Sequence, residues 1–161
     1  MSTIANARPF AENLEQRLEF ETLISDLSSR FINLPPGEVD REIDVALRRM
    51  CEALDIDLAI LWQWSQARPD VIAPTHVYQA HQGPRPSEPM RQDMYPWTRQ
   101  QMLMGRVVAI PALEAFPAEA AVDRETLRSF GIKSAMALPL AVGGKAPIGA
   151  LGLNSLLAQR D

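Results

Sequence analysis

Apolar residues recur at every third or fourth position in the first third of the chain, which predicts amphipathic helices. The first apolar stripe consists of Phe10, Leu14, Leu18, Phe20, Ile24, Leu27 and Phe31. The consecutive prolines of NLPPGE (Asn33 to Glu38) remove backbone donors and end this helix. The second stripe consists of Val39, Ile43, Leu47, Met50 and Leu54, with charged residues between them. The pattern therefore places two helices ahead of any sheet.

The pattern then changes to short apolar runs bounded by turn residues, which predicts strands. LAILWQW (Leu58 to Trp64) is the first strand, and VIAPTHVYQAH (Val71 to His81) is its return strand, with Pro74 marking an edge or a bulge. A proline-rich loop, QGPRPSEPM, follows. After it we expect a short helix from Pro96 to Gly105, the strand VVAI, and a helix that ends at Gly131. With a closing hairpin, this order predicts an α+β domain with an antiparallel sheet.

The closing hairpin has one bulky and one small face, because side chains alternate along a strand. In AMALPLAV the larger side chains are Met136, Leu138, Leu140 and Val142, and the smaller ones are Ala135, Ala137, Pro139 and Ala141. IGALGLN repeats the contrast, with Leu151 and Leu153 alternating with Ala150 and Gly152. Small side chains admit a close helix or leave space for a ligand. The sequence does not give the register, so the alignment of the two small faces stays open.

Composition limits the class of protein. The 161 residues are 47% hydrophobic and 22% charged, which suits one globular domain spanning residues 1–161. A formal net charge of -4 argues against nucleic acid as a direct partner. The single cysteine, Cys51, cannot form an internal disulfide, and no apolar run reaches the length of a membrane span. Because MSTIANARPF is also unlike a signal peptide, we expect a cytoplasmic protein without a membrane partner.

Candidate catalytic and metal-binding side chains are few. His76 and His81 lie five residues apart on a predicted strand, so they point to opposite faces and cannot share a metal ion. Isolated histidines of this kind more often satisfy local polar contacts than act as bases. Cys51 lies beside the apolar stripe of the second helix, where it is interpreted as a small buried hydrophobe. The sequence therefore predicts no metal site and no catalytic residue.

Two further motifs have structural explanations. The GGK at Gly143 to Lys145 is followed by alanine and no helix, so we interpret it as a hairpin turn and not as a phosphate loop. The acidic pairs Asp55 with Asp57 and Asp123 with Glu125 resemble general acid and base pairs. Their positions at a turn and on a charged helix lead us to interpret all four carboxylates as solvated.

Aromatic residues are placed more suggestively. Trp62 and Trp64 project from one face of their strand, and His76 and Tyr78 share a face of the next. Six residues form the candidate ligand-binding set: Trp62, Trp64, His76, Tyr78, Trp97 and Phe116. Converging between the sheet and residues 82–116, they would line a pocket for a flat or apolar ligand, oriented by the imidazole, phenol and indole groups. The alternative is that these aromatics are ordinary core residues.

The segment from Pro96 to Ser155 resembles the GAF domains of bacterial sensor kinases and regulators. The shared features are PW at the start of a short helix, G-x-V-V-x-I-P before a loop with L-x-x-x-P, then G-I-K-S, P-L and a closing G-A-L-G-L. Upstream, LPPGEVDREIDVALRRMCEALDIDLAILWQW is similar to the second helix and first strand of that group. The resemblance covers about residue 24 to the end. It implies an antiparallel sheet with helices on one face and a pocket covered by loops and helices on the other.

The resemblance implies a sensory or regulatory module, from a two-component histidine kinase or a transcriptional regulator, and not an enzyme. Such a module binds a small ligand or relays a signal to an attached output domain such as a histidine kinase. Related proteins continue beyond the point where this chain stops, so we expect the core at about residues 34–155 to be a piece of a longer protein. Two alternatives stay open: a ligandless dimerisation and relay module, and an acetyltransferase-like enzyme, although no glycine-rich pyrophosphate loop supports the enzyme.

The resemblance does not identify the ligand, but it argues against three cofactors. Bilin-binding members need a cysteine in the pocket region, and Cys51 lies on a helix. Cyclic-nucleotide binders carry an N-K-x-F…D-E signature, whereas SLLAQRD follows Asn154 here. Haem would need an axial histidine, and only the isolated His76 is placed where it could serve. A bilin, a cyclic nucleotide and haem are therefore not the cofactors we expect.

The first helix, residues 10–33, is the expected dimerisation element. Leu14 and Leu18 continue one apolar stripe, while Phe20, Ile24, Leu27 and Phe31 follow a different phase. Two phases suggest two neighbours, one of which could be the same helix of a second subunit in a homodimer. The alternative is a frayed, solvent-exposed extension.

Overall fold

The computed structural model describes residues 7–32, 34–65, 67–83 and 86–157, with side chains from residue 15 onward except residue 16. The helices in these ranges are α1 (Ala7–Ile32), α2 (Val39–Leu54), α3 (Pro96–Leu103) and α4 (Ala121–Ser129). The strands are β1 (Leu58–Trp64), β2 (Val71–Gln79), β3 (Met90–Arg91), β4 (Val108–Ile110), β5 (Ser134–Leu140) and β6 (Gly149–Ser155). None of these helices is both long and apolar enough to span a membrane.

The strands form one antiparallel sheet in the order β3-β2-β1-β6-β5-β4. The two central strands, β1 and β6, pair from Leu58 opposite Asn154 to Gln63 opposite Gly149. Helices cover both faces of this sheet. The predicted α+β class, with helices on one face and a covered cavity on the other, is confirmed.

The structure differs from the expected elements most clearly at β3 and at the end of β2. Strand β3 lies where the sequence predicts only loop, and its two residues pair with the start of β2. Such a short strand leaves no periodicity to detect. Strand β2 ends at Gln79 and not at His81, because its partner β1 begins at Leu58, directly opposite Gln79. Pro74 lies beside a bulge, since Leu61 pairs with His76 and Trp62 with Pro74. Of the edge or bulge expected at this proline, the structure shows the bulge.

One face of the sheet is covered by α2. Leu47 and Cys51 of this helix pack against Ala59 of β1 and Leu153 of β6. Helix α1 packs on α2, with Leu23 and Leu27 buried beside Ala46. Ion pairs from Arg49 to Asp26 and from Arg30 to Glu42 join the same two helices. The α1 helix is therefore an outer layer on α2.

The opposite face of the sheet is covered by α3, α4 and the turns between them. Its buried cluster consists of Met102, Val108, Ile110, Leu113, Phe116, Ala120 and Ala150. Trp62, Trp64 and Trp97 pack against this cluster while staying partly exposed. The rings of Trp97 and Phe116 meet edge to face, with centroids 5.8 Å apart.

The register of the closing hairpin brings its small residues together. Ala137 pairs with Gly152, and Pro139 pairs with Ala150. The bulky pair Leu138 and Leu151 packs on the α2 side of the sheet. The turn between the strands contains Gly143 and Gly144 with φ of 60° and 71°, which confirms that GGK is a hairpin turn. The small faces of β5 and β6 therefore coincide on the side of α3 and α4.

Candidate functional site

A cavity of about 100 Å³ lies between the small face of the hairpin and the two helices α3 and α4. Ala135, Ala137, Ala150 and Gly152 form its floor, and most of the remaining lining is apolar. Met102 of α3 and Val108 of β4 also line it. Protein interiors normally pack without voids of this size. Here the space exists because the residues of β5 and β6 on this face have small side chains or none.

Four of the six predicted site residues lie on this side of the sheet. Trp62 and Trp64 line the cavity itself, as their shared strand face predicts. Phe116 belongs to the neighbouring core cluster and Trp97 packs against it, but neither residue is part of the cavity wall. The covering segment is also longer than expected, because α4 and Ile132 contribute to the lining beyond residue 116. Ligand binding by this set stays a prediction.

His76 and Tyr78 do not face the cavity, so the expectation that they converge with the tryptophans is wrong. They share a strand face, as expected, but pair with Leu61 and Ala59, which are turned away from Trp62. Tyr78 packs in the α2 cluster, and Nε2 of His76 lies 3.3 Å from the Asp40 carboxylate of α2. The sequence alternation fixes each pair on one face but not the register that relates the two strands.

The bulge in β2 changes which residues of the strand face the cavity. Thr75 is the extra residue, and its hydroxyl donates to the Leu61 carbonyl oxygen. Beyond the bulge the alternation is shifted by one residue, so Ile72 lies opposite Trp64 and lines the cavity. His76 therefore faces α2 although it is an even number of residues from Ile72.

Tyr95 is a cavity residue that the sequence analysis missed. It directly precedes α3, lines the cavity and is 8% exposed. Burial raises the pKa of its hydroxyl to about 12, opposed by the nearby Arg99 and by the Trp64 side chain. Although the Trp64 indole approaches closely enough to affect this pKa, neither the Tyr95 hydroxyl nor Trp64 Nε1 has a hydrogen bond of normal geometry within the described residues. Tyr95 lies after a loop and 31 residues from Trp64, so no local sequence pattern relates it to the cavity.

Asp123 is also part of the cavity wall and is not solvated as expected. It is 1% exposed on α4, and its two carboxylate oxygens accept the backbone N–H groups of Trp97 and Thr98. These are the first free donors of α3, so Asp123 caps that helix from another element. The hydroxyl of Thr126 donates to the Met94 carbonyl oxygen one turn further along α4. The two covering helices are thus tied together by hydrogen bonds.

Asp57 was also expected to be solvated, but it is buried. It is 7% exposed and accepts hydrogen bonds from the Ser155 hydroxyl and from the backbone N–H groups of Leu156 and Leu157. Burial acts to raise its pKa, but these three bonds and the nearby His81 outweigh burial and hold the pKa below its ordinary value. Asp57 therefore anchors the chain where it leaves β6.

The remaining candidate groups form no reactive cluster. Cys51 is buried in the α2 cluster, where burial, with smaller effects from Asp57 and Glu52, raises its thiol pKa to about 12. A thiol with this pKa is a poor nucleophile, as expected for a structural cysteine. Among the residues that the structure describes, no three histidine, cysteine, aspartate or glutamate side chains are grouped closely enough to hold a metal ion.

Several solved structures share this fold at low sequence identity. The phycoerythrobilin-bound GAF domain of a cyanobacterial phytochrome matches with a TM-score of 0.70 and 13% identity, over 90% of this chain and 85% of that chain. The PixJ GAF domain of Thermosynechococcus elongatus in its blue-light absorbing form matches with 0.61 and 15%, over 80% and 77%. Staphylococcus aureus NreA, mutated in its nitrate binding site, matches with 0.58 and 19%, over 79% and 89%. Identities this low establish the fold alone.

A bilin does not fit the residues present here. The cavity of about 100 Å³ is well below the roughly 300–1,000 Å³ typical of pockets for larger ligands. Cys51, the one cysteine of the sequence, packs on the α2 side of the sheet, away from the cavity. A covalent link from this thiol into the cavity would have to cross the sheet.

The sequence itself gives the family. No curated protein shows significant similarity to the chain. The profile of the GAF domain family, however, matches residues 38–161, most of the sequence and all of the sheet. GAF domains are generally sensory, non-catalytic modules. This chain belongs to the GAF domain family.

Proposed function

We propose that this chain is a cytoplasmic sensory domain that binds a compact, largely apolar ligand in the cavity and relays binding to an attached output domain. The observation that carries the proposal is the cavity between the small face of β5 and β6 and the helices α3 and α4. The output domain could be a histidine kinase of a two-component system, as the resemblance implies. The acetyltransferase-like alternative has no support in a generally non-catalytic family.

The cavity suits a ligand that is small and mostly buried. Its floor offers Ala137, Ala150 and Gly152, while Met102 and Ile132 close it from the other side. A dry apolar cavity of about 150 Å³ can hold benzene, so about 100 Å³ sets the scale to a ligand of a few carbon atoms. Burying that surface gives binding energy without any covalent step.

Relay requires that the ligand stabilise one arrangement of the covering helices over another. Asp123 and Thr126 connect α4 to the start of α3, so the two helices would respond together. On the same sheet, β6 continues into the segment held by Asp57. A shift of β6 under the ligand would therefore reach the segment after it.

A second candidate is a relay module without a ligand, and the small size of the cavity favours it. In that case the cavity would be a packing defect beside a closely packed cluster. The two candidates differ in how the cavity tolerates a larger side chain.

Replacing Ala150 by Leu tests the proposal. We expect native mass spectrometry of the protein purified from its own host to show a bound small molecule, and the Ala150→Leu variant to lack it. Because the added carbons enter empty space, the free energy of unfolding of the variant should lie within about 1 kcal/mol of the wild-type value. Overpacking a filled core would instead lower it by about 1–3 kcal/mol. Ala141→Leu, at an exposed position after β5, is the matched control and should keep the ligand. The absence of any bound mass, together with strong destabilisation of Ala150→Leu, would favour the ligandless module.

A further inference from the structure

We infer that the ligand of this cavity carries a carboxylate, bound by Trp64 and Tyr95, on a compact apolar body. The inference rests on the proposed ligand-binding function and specifies the chemistry of the ligand. It follows from polar atoms at one end of the cavity that are buried and unsatisfied.

Trp64 Nε1 and the Tyr95 hydroxyl oxygen are both buried and have no hydrogen bond of normal geometry in the part of the chain that the structure describes. Leaving such a group unsatisfied is costly, so buried polar groups nearly always have partners. Both residues line the cavity, and Tyr95 is more than nine-tenths buried. A bound group that supplies the missing partner would remove this cost.

Trp64 and Tyr95 lie at the same end of the cavity. Trp64 is the last residue of β1 and pairs with Ile72, which in turn pairs with Met90 of β3. Tyr95 precedes α3, and the Trp64 indole is close enough to its hydroxyl to lower the hydroxyl pKa through a hydrogen-bonding contact, although this contact lacks the geometry of a normal hydrogen bond. The two groups therefore lie together at the end of the cavity formed by β1, β2 and β3.

A single acceptor group with two oxygens can satisfy both donors, because an indole N–H can only donate and a tyrosine hydroxyl donates readily. Arg99 follows Tyr95 by one helical turn and does not line the cavity, but its charge acts on the Tyr95 hydroxyl. Two unsatisfied donors in the cavity wall, with this cation near one of them, favour an anionic acceptor.

The acidic groups nearby do not satisfy these donors. Asp123 is the acidic residue of the cavity lining, and both its oxygens are already bonded to backbone N–H groups of α3. Asp70 does not line the cavity, and its charge acts on the pKa of Tyr95 in the opposite sense to that of Arg99. A carboxylate on the ligand would therefore supply the acceptor that neither acidic side chain provides.

Matched pairs of acids and alcohols test the inference directly. The probes are acetate, isovalerate and benzoate, each compared with its alcohol, ethanol, 3-methylbutan-1-ol or benzyl alcohol, by titration calorimetry. We expect at least one acid of this series to bind about tenfold or more tightly than its alcohol, since a hydrogen bond to a charged group is worth that much. On binding, the indole N–H signal of Trp64, assigned with Trp64→Phe, should move downfield in the NMR spectrum.

Variants separate recognition from folding. Tyr95→Phe and Arg99→Met should each weaken acid binding about tenfold and leave alcohol binding unchanged. Tyr78→Phe, on the α2 face, and Arg106→Met, at an exposed position, are the matched controls and should bind like the wild type. Without ligand, Tyr95→Phe should unfold at or above the wild-type temperature, because no hydrogen bond is lost.

The outcomes distinguish this inference from the proposed function. Alcohols that bind as tightly as the acids, or acid binding that survives Tyr95→Phe, would overturn the carboxylate and leave a ligand-binding cavity. Failure of both series to bind would overturn the carboxylate and argue equally against a cavity that accepts small ligands.

Discussion

Two buried carboxylates show how single residues hold this domain together. Asp123 caps a helix that is distant in sequence, and Asp57 holds the chain after β6 through three hydrogen bonds. Each accepts backbone N–H groups that would otherwise lack partners. Local sequence made both acids look solvated, because their partners lie 25 or more residues away.

Replacing Asp57 by Asn should lower the free energy of unfolding at pH 7 by about 1–3 kcal/mol, since hydrogen bonds to a charged acceptor are lost or weakened. The folded-state pKa of Asp57 lies below its ordinary value, so its stabilisation is complete above about pH 4 and is lost as the pH falls through the lowered pKa. Urea unfolding of wild type and variant should therefore differ at pH 7 and converge in acid. Asp93→Asn, which disrupts only an exposed ion pair, is the control and should change stability little at either pH. A difference that is independent of pH would contradict the role given to the carboxylate.

At the scale of elements, β1 and β6 approach each other so closely at Gly149 that only glycine fits there. A Cβ built on Gly149 would lie 2.2 Å from the Trp62 carbonyl oxygen. Because that neighbour is backbone, it cannot rotate away. The glycine therefore helps to set the register that places the small residues of β6 over the cavity.

Gly149→Ala should destabilise the protein by about 2 kcal/mol or more, because the two central strands must separate to accept the methyl group. Guanidinium unfolding measures the loss. Gly37→Ala serves as the control, since a Cβ there meets nothing within 4 Å, and should be nearly neutral. Equal stability of the two variants would mean that β1 and β6 are not paired this closely.

Sequence periodicity predicted the elements well but not the relations between them. Alternation correctly placed Trp62 with Trp64 and His76 with Tyr78. It could not show that the two pairs lie on opposite faces, because that depends on the cross-strand register and on the bulge at Thr75. The two small faces of the hairpin illustrate the same point, since their coincidence follows from the pairing of Ala137 with Gly152.

At the scale of the whole molecule, α1 offers an unoccupied apolar face. Leu23 and Leu27 are buried against α2, so the predicted grouping of Leu27 with the exposed phase is wrong, and Leu18 is exposed. Phe20 and Ile24 are 40% and 42% exposed. Phe31 continues the exposed stripe. Phe10 and Leu14 also belong to the predicted stripe, but their side chains are not among those that the structure describes. The proposed homodimer would bury this stripe against the same helix of a second subunit.

Light scattering at micromolar concentration should give the mass of a dimer for the intact chain. The double variant Phe20→Ser and Ile24→Ser should be monomeric with an unchanged fold, because neither side chain packs in the buried core. Glu19→Gln, an exposed polar change on the same helix, should remain dimeric. A monomeric wild type would rule out this interface.

The aligned small residues of β5 and β6 also bear on how such a domain could diversify. In a ligand-binding cavity, larger side chains at Ala135, Ala137 and Ala150 would enter the space of the ligand, while the backbone pairing and the bulky residues on the reverse side hold the strands. Selection could then change the volume and shape of the cavity in single steps. Ligand preference and stability would then evolve on opposite surfaces of one sheet.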